Sequence, residues 1–320
     1  MSWIRDQLER FRQQPVIGYR ADQSPLAEPT AISALALQAH QLPLFAEPAA
    51  DWLVERQSLQ GEIGVMPGHE EPGWATALAL IVWHQMPQRH KYLGPIELAT
   101  QWLLEARGKV LEPDTDLGHN VELVGWSWAP NTHSWIEPTA MSILALRALG
   151  QLRHPRTQEG IKLLIDRQLP AGGCNYGNTF VLGQLLRPHV QPTGVAMAAL
   201  SGQIDTSGRL PRSLAWLRRQ LSEQTTSSSL AWGLLGLAAH GELPANYQQF
   251  LEAAAARQIA HENSPYKLAM LLLAAAGERA FPFLAVPRRL PPIDADDADD
   301  AAARRSSSAP SLALDAEISP

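Results

Sequence analysis

The chain has 320 residues, 45% of them hydrophobic and 18% charged, with a formal net charge of −6 and a single cysteine, Cys174. That composition supports a sizeable buried core, and no run of eighteen apolar residues marks a membrane span. One thiol excludes an internal disulfide framework and a cysteine-rich zinc module, and the acidic balance argues against nucleic acid or an anionic membrane surface as partner.

The first fourteen residues (MSWIRDQLERFRQQ) predict an amphipathic helix over Ser2–Gln13. They lack the apolar stretch of a signal peptide, so the expected location is the cytoplasm. A repeat follows. Glu28-Pro29-Thr30-Ala31 opens EPTAISALALQAH, and Glu71-Pro72 opens EPGWATALALIVW, placed in register by its Glu-Pro pair. Glu137-Pro138-Thr139-Ala140 opens EPTAMSILALRAL, and Gln191-Pro192-Thr193 opens QPTGVAMAAL. Two degenerate copies begin at Ser228 and Ser264. Each run predicts a helix, because Ala and Leu are strong helix formers and Pro suits the first helical turn. The runs are apolar nearly all round, as helices buried between two layers are.

Amphipathic segments lie between these runs, at Asp51–Gln57, Thr100–Arg107, Ile161–Gln168, Leu214–Gln220 and Phe250–Gln258. The expected unit is an inner buried helix, a turn and an outer amphipathic helix. Six inner and five outer helices leave Ser2–Gln13 to complete the sixth hairpin. The predicted fold is therefore an all-α, closed α/α toroid over residues 1–285. Residues 286–320 are rich in Pro, Ser, Ala and Asp and predict a disordered acidic tail. They hold four Arg against seven Asp or Glu, which is half of the net charge.

Three features resemble the terpene cyclase and protein prenyltransferase group, with its prenyltransferase and squalene oxidase repeats. They are the Glu-Pro-Thr-Ala helix starts, the Trp-to-Arg-Gln outer helices and the link Gly172-Gly173-Cys174-Asn175-Tyr176-Gly177. The resemblance spans about residues 15–280. It implies a chamber lined by the inner helices and their N-terminal loops, with an isoprenoid or other apolar ligand inside. In triterpene cyclases of this group an Asp-x-Asp-Asp-Thr-Ala motif opens an inner helix, and its middle Asp protonates the substrate. Matching Thr139-Ala140 to that motif puts Glu137 at the middle Asp, with His133 to tune it. Trp135 and Pro138 stand where the flanking acids would be. The prenyltransferase zinc pattern, Asp-x-Cys, is broken because Gly172 precedes Cys174 by two, so neither metal nor other cofactor is expected. Cys174 reads as a buried, inert thiol.

Glu28, Glu71 and Glu137 each stand where a carboxylate can accept backbone amides and oppose the helix dipole. With Gln191 they would also form a polar ring at the chamber mouth. Trp126, Trp128 and Trp135 fall outside helical spacing. They either pack on the rim or offer π faces to an apolar or cationic species. Tyr176, Asn178 and His189 are expected at the same rim. Asp294-Ala295-Asp296-Asp297 reads as a chance match in the tail. Asp114-Thr115-Asp116, with Glu112 and His119, reads as a solvated loop carrying oxygen donors of the kind that bind a divalent ion. Two functional classes follow. One is an enzyme-like protein with Glu137 as acid or base. The other is a noncatalytic repeat protein that binds a lipid, peptide or protein partner at the rim. Paired Glu residues also admit a glycan-active barrel.

Overall fold

The computed structural model describes residues 2–66, 68–69, 71–110, 112 and 118–284. The expected tail, its Asp294–Asp297 motif and Asp114-Thr115-Asp116 lie outside the described residues. Twelve α-helices are described. In chain order they are α1 (Ser2–Gln13), α2 (Ala27–Ala39), α3 (Glu47–Val54), α4 (Thr76–Gln85), α5 (Leu93–Glu105) and α6 (Ile136–Ala148), then α7 (Pro155–Asp166), α8 (Val190–Ala199), α9 (Arg209–Gln220), α10 (Ser227–Ala238), α11 (Tyr247–Ala260) and α12 (Pro265–Ala275). A short antiparallel hairpin, β1 (Phe180–Val181) with β2 (Gln184–Leu185), interrupts the link between α7 and α8. No helix among the described residues is long and apolar enough to cross a membrane.

The even-numbered helices form the inner ring. Each packs on the next, and α12 packs on α2, so the ring closes. The odd-numbered helices lie outside, and α1 packs against both α12 and α2. The N-terminal helix therefore completes the sixth hairpin. Burial follows the composition of each layer. Every residue of α4 from Thr76 to Trp83 is buried, whereas α9 buries only the stripe Leu210, Ser213, Leu214 and Leu217.

Two devices tighten the ring. Between α8 and α10 the backbones touch: a Cβ on Gly194 would lie 2.4 Å from the Trp232 carbonyl, and one on Gly236 would lie 2.4 Å from the Gly194 oxygen. At the C-terminal ends, side chains satisfy carbonyls of the neighbouring inner helix that have no partner within their own helix. Gln38 donates to Val82 O at 2.9 Å, His40 Nε2 lies 2.9 Å from Leu272 O, and Ser201 donates to Ala239 O at 2.7 Å. The His40 bond joins the first inner helix to the last.

The Arg-Gln endings of the outer segments have a structural use. Gln57 donates to Pro95 O at 2.9 Å, and Gln168 accepts from Ser213 Oγ at 2.5 Å, so each ties its link to the next outer helix. Gly61 and Gly172 fold the link at φ +105° and +96°, where a Cβ would meet the backbone of that helix at 2.3 and 2.5 Å.

The register of the second repeat differs from the sequence expectation. Thr30 Oγ1 accepts the Ile17 amide at 3.2 Å, Thr76 the Ile63 amide at 2.8 Å, Thr139 the Trp126 amide at 2.9 Å, and Thr193 the Cys174 amide at 2.8 Å. The segment that matches Glu28-Pro29-Thr30-Ala31 is therefore Trp74-Ala75-Thr76-Ala77. Glu71 and Pro72 precede α4 and do not open it. The threonine hydroxyl bonds and the buried Ala-Leu run set the register, and the Glu-Pro pair does not.

The α8–α10 contact predicts that Gly194→Ala destabilises the fold by about 1–3 kcal/mol, the usual cost of overpacking. Gly94, near the start of α5, has open space on its outer side: a Cβ there would meet no other segment within 4 Å. Gly94→Ala should be neutral or stabilising by up to about 1 kcal/mol. Urea denaturation of the two variants beside the wild type checks both signs.

Candidate functional site

The links that carry the threonine-bound amides bring the N-terminal ends of the inner helices to one rim. Glu28, on α2, accepts two tyrosine hydroxyls. Tyr266 of α12 donates to its Oε1 at 2.9 Å, and Tyr19, from the link before α2, donates to its Oε2. The two tyrosine rings meet edge to face at 4.9 Å. Ser264 Oγ donates to Tyr19 O at 2.6 Å, so this cluster also fastens the last repeat to the first. Burial raises the Glu28 pKa, and the two hydroxyls pull it back toward the ionised form.

Glu137, on α6, is only 5% exposed. Its Oε1 is buried with no hydrogen-bond partner. Its carboxyl is pushed up to about 7, first by burial and then by the charge of Glu28, while the polar side chain of Gln191 on α8 offsets part of the shift. Glu28 is engaged by tyrosine hydroxyls, and Glu137 Oε1 has no partner, so neither of these oxygens accepts a backbone amide. A carboxylate in the first turn still opposes the dipole. The specific bonds, however, run across the rim and not into the helix.

Tyr176 and His189 stack at 5.0 Å beside this pair, and the charge of Glu137 contributes to raising the Tyr176 pKa. Asn178 is half-buried in the same link. Trp135 stacks on His133 at 4.5 Å. Burial and the charge of Arg167 lower the His133 pKa, so this ring is neutral at pH 7. The side chain that favours the ionised form of Glu137 is Gln191, while His133 stacks on Trp135 and feels Arg167.

Trp126 is a packing residue. It is 3% exposed, its Nε1 donates to Leu103 O at 2.8 Å, and Arg156 covers its ring at 3.7 Å. Glu71 is exposed and borders a cleft with Trp74, Trp102 and Trp128. Cys174 is fully buried with its thiol pushed up to about 12 by burial, as expected of an inert thiol. Among the described residues no group of three His, Cys, Asp or Glu is placed to hold a metal ion.

Sequence reasoning missed Tyr19, Tyr266 and Trp74. Two of these had a signal once the threonine register is known. Tyr19 follows the amide partner Ile17 by two residues, as Trp128 follows Trp126 and Tyr176 follows Cys174. Trp74 precedes Thr76 by two, as Glu28 precedes Thr30. Tyr266 lies in a degenerate repeat with no threonine to align.

No protein-family model and no curated protein matches this chain. Solved structures do match. A protein from Actinoplanes superposes with a TM-score of 0.52 at 13% identity, over 89% of this chain and 99% of that one. A glycosidase variant superposes with a TM-score of 0.50 at 12% identity, over 89% of this chain and 97% of that one. At such identity the likeness establishes the fold, an α/α toroid.

The raised Glu137 pKa gives a signed prediction. The native state holds this proton up to about pH 7, whereas the unfolded chain releases it near its ordinary value of 4.5. Stability from this group is therefore present at low pH and falls as pH rises through that window. Glu137→Gln should stabilise the protein by roughly 1–3 kcal/mol at pH 8 and change little at pH 4. Thermal melts at the two pH values check it.

Proposed function

We propose that the rim carrying Glu28 and Glu137 is an acid–base site for a small ligand, with Glu137 as the proton donor and Glu28 as the second carboxyl. The observation behind this reading is a buried carboxyl that titrates near 7 and has an unpaired oxygen, close enough to feel a second carboxylate. A carboxyl that holds its proton near neutral pH, with a second carboxyl close by, is what acid-assisted cleavage of an acetal bond uses. Gln191, Tyr19 and Tyr266 add hydrogen-bonding groups suited to a hydroxylated ligand. A glycoside is thus the substrate class that this chemistry fits best. The similarity to a glycosidase concerns the fold alone.

The isoprenoid-like ligand implied by the family resemblance is a second reading. Its support is the aromatic ring of Tyr176, near enough to feel the charge of Glu137, and the Trp135 ring two residues before Glu137. A carboxyl near 7, however, is a weak acid for an unactivated alkene, and suits transfer to an oxygen whose bond is breaking. In a noncatalytic protein the same rim would bind a partner with no proton transfer.

A panel of α- and β-linked disaccharides and of isoprenoid substrates, with product release followed by mass spectrometry, separates these readings. The expected result is cleavage of one glycoside linkage, with activity falling above pH 7. Glu137→Gln should then lose about 10²–10⁴-fold in kcat. Equal turnover by wild type and variant would remove the acid role. Conversion of an isoprenoid alone would favour the second reading. Binding without turnover, unaltered by the substitution, would favour the noncatalytic one.

A further inference from the structure

A cleft lies beside the N-terminal half of α6, lined by Pro138 and Ser142 but not by Glu137. Its volume is about 180 Å³, and its aromatic walls are Trp74, Trp102 and Trp128. That is below the roughly 300–1,000 Å³ of sites for drug-sized ligands. The Trp74 and Trp128 rings stand at 89° to each other with centroids 4.8 Å apart. Trp102 is admitted to the wall by Gly73, since a Cβ there would lie 2.8 Å from its ring. The two rings are in edge-to-face contact and, with Trp102, wall a small cleft that suits a compact group better than a flat sugar ring.

Charge decides what that group is. Glu71 borders the cleft and is exposed. Arg107 also borders it, with its guanidinium 3.5 Å from Glu159, a carboxylate that Arg156 shares at the same distance. The same tryptophan cluster already holds a cation on its buried side, where Arg156 lies 3.7 Å from the Trp126 ring centre. Aromatic faces attract cations through their quadrupole, and a carboxylate at the mouth adds to that attraction. We propose that this cleft binds a compact organic cation of the trimethylammonium type, with Trp74, Trp102 and Trp128 as walls and Glu71 as counter-charge. This site does not depend on proton transfer by Glu137.

Choline is the probe, and its uncharged carbon isostere dimethylbutanol is the control. Both are titrated at constant ionic strength and followed by tryptophan fluorescence and ligand-observed NMR. Choline should bind saturably and at least about tenfold more tightly than the isostere. Trp128→Leu and Glu71→Gln should each weaken choline, and Arg107→Gln should leave it unchanged or tighten it. Circular dichroism establishes that Trp128→Leu is folded, while the Glu71 and Arg107 variants alter exposed side chains only. Equal affinity for choline and its isostere, no saturation, or weakening by Arg107→Gln would each overturn the proposal. Weakening by Arg107→Gln would point instead to an anion.

Discussion

A threonine hydroxyl at the start of an inner helix does two jobs at once. It accepts an amide from the link that precedes the helix and donates to a nearby carbonyl, as Thr30 does with both groups of Ile17 at 3.2 and 3.1 Å. Thr139 does the same with Trp126, and Thr193 accepts the Cys174 amide at 2.8 Å and donates to His189 O at 2.6 Å. Each bond is buried, so breaking it would leave an unpaired polar group at a cost of about 1–3 kcal/mol. The link is thereby clamped to its helix, and the depth of every neighbouring residue at the rim is set.

From that clamp the chemistry of the rim follows. The residue two before each threonine is Glu28, Trp74, Glu137 or Gln191. The residue two after each clamped amide is Tyr19, Val65, Trp128 or Tyr176. One scaffold thus presents different groups around the ring. The positions on α2, α6 and α8 bring carboxylates, an amide and tyrosines together. The positions between α4 and α6 bring tryptophans together. A repeat fold supplies the geometry four times and leaves the side chains free to differ, which is why the fold alone does not name a reaction.

Closure of the ring makes the acidic side of the rim. Tyr266 belongs to the last inner helix and Glu28 to the first, yet they are hydrogen-bonded at 2.9 Å. Ser264 and His40 reinforce the same seam. Closure also removes water from around Glu137, and that desolvation dominates the rise in its pKa. Without α12 against α2, Glu28 would lose one of the two hydroxyls that favour its ionised form.

Much of this was legible in residues met in order. Ala- and Leu-rich runs bounded by polar residues specify buried helices, and amphipathic segments between them specify an outer layer. Local propensity and period therefore determined the inner and outer layers, the role of Ser2–Gln13 as the sixth outer helix, and the burial of Cys174. Glu28 and Glu137 could be singled out because a carboxylate beside Pro-Thr at a helix start is a recognisable pattern. Only the tertiary structure showed that Glu71 is not their counterpart and that Trp74 is. It also decided that Glu28 is held by tyrosines from opposite ends of the chain, that Gln191 is the polar side chain favouring the ionised form of Glu137, and that Trp126 is buried and hydrogen-bonded while Trp128 is the more open wall of the cleft. The physical reason is range. Helix formation is decided by neighbours a few residues apart, whereas hydrogen-bond pairing and desolvation at the rim depend on groups brought together by closure of the ring.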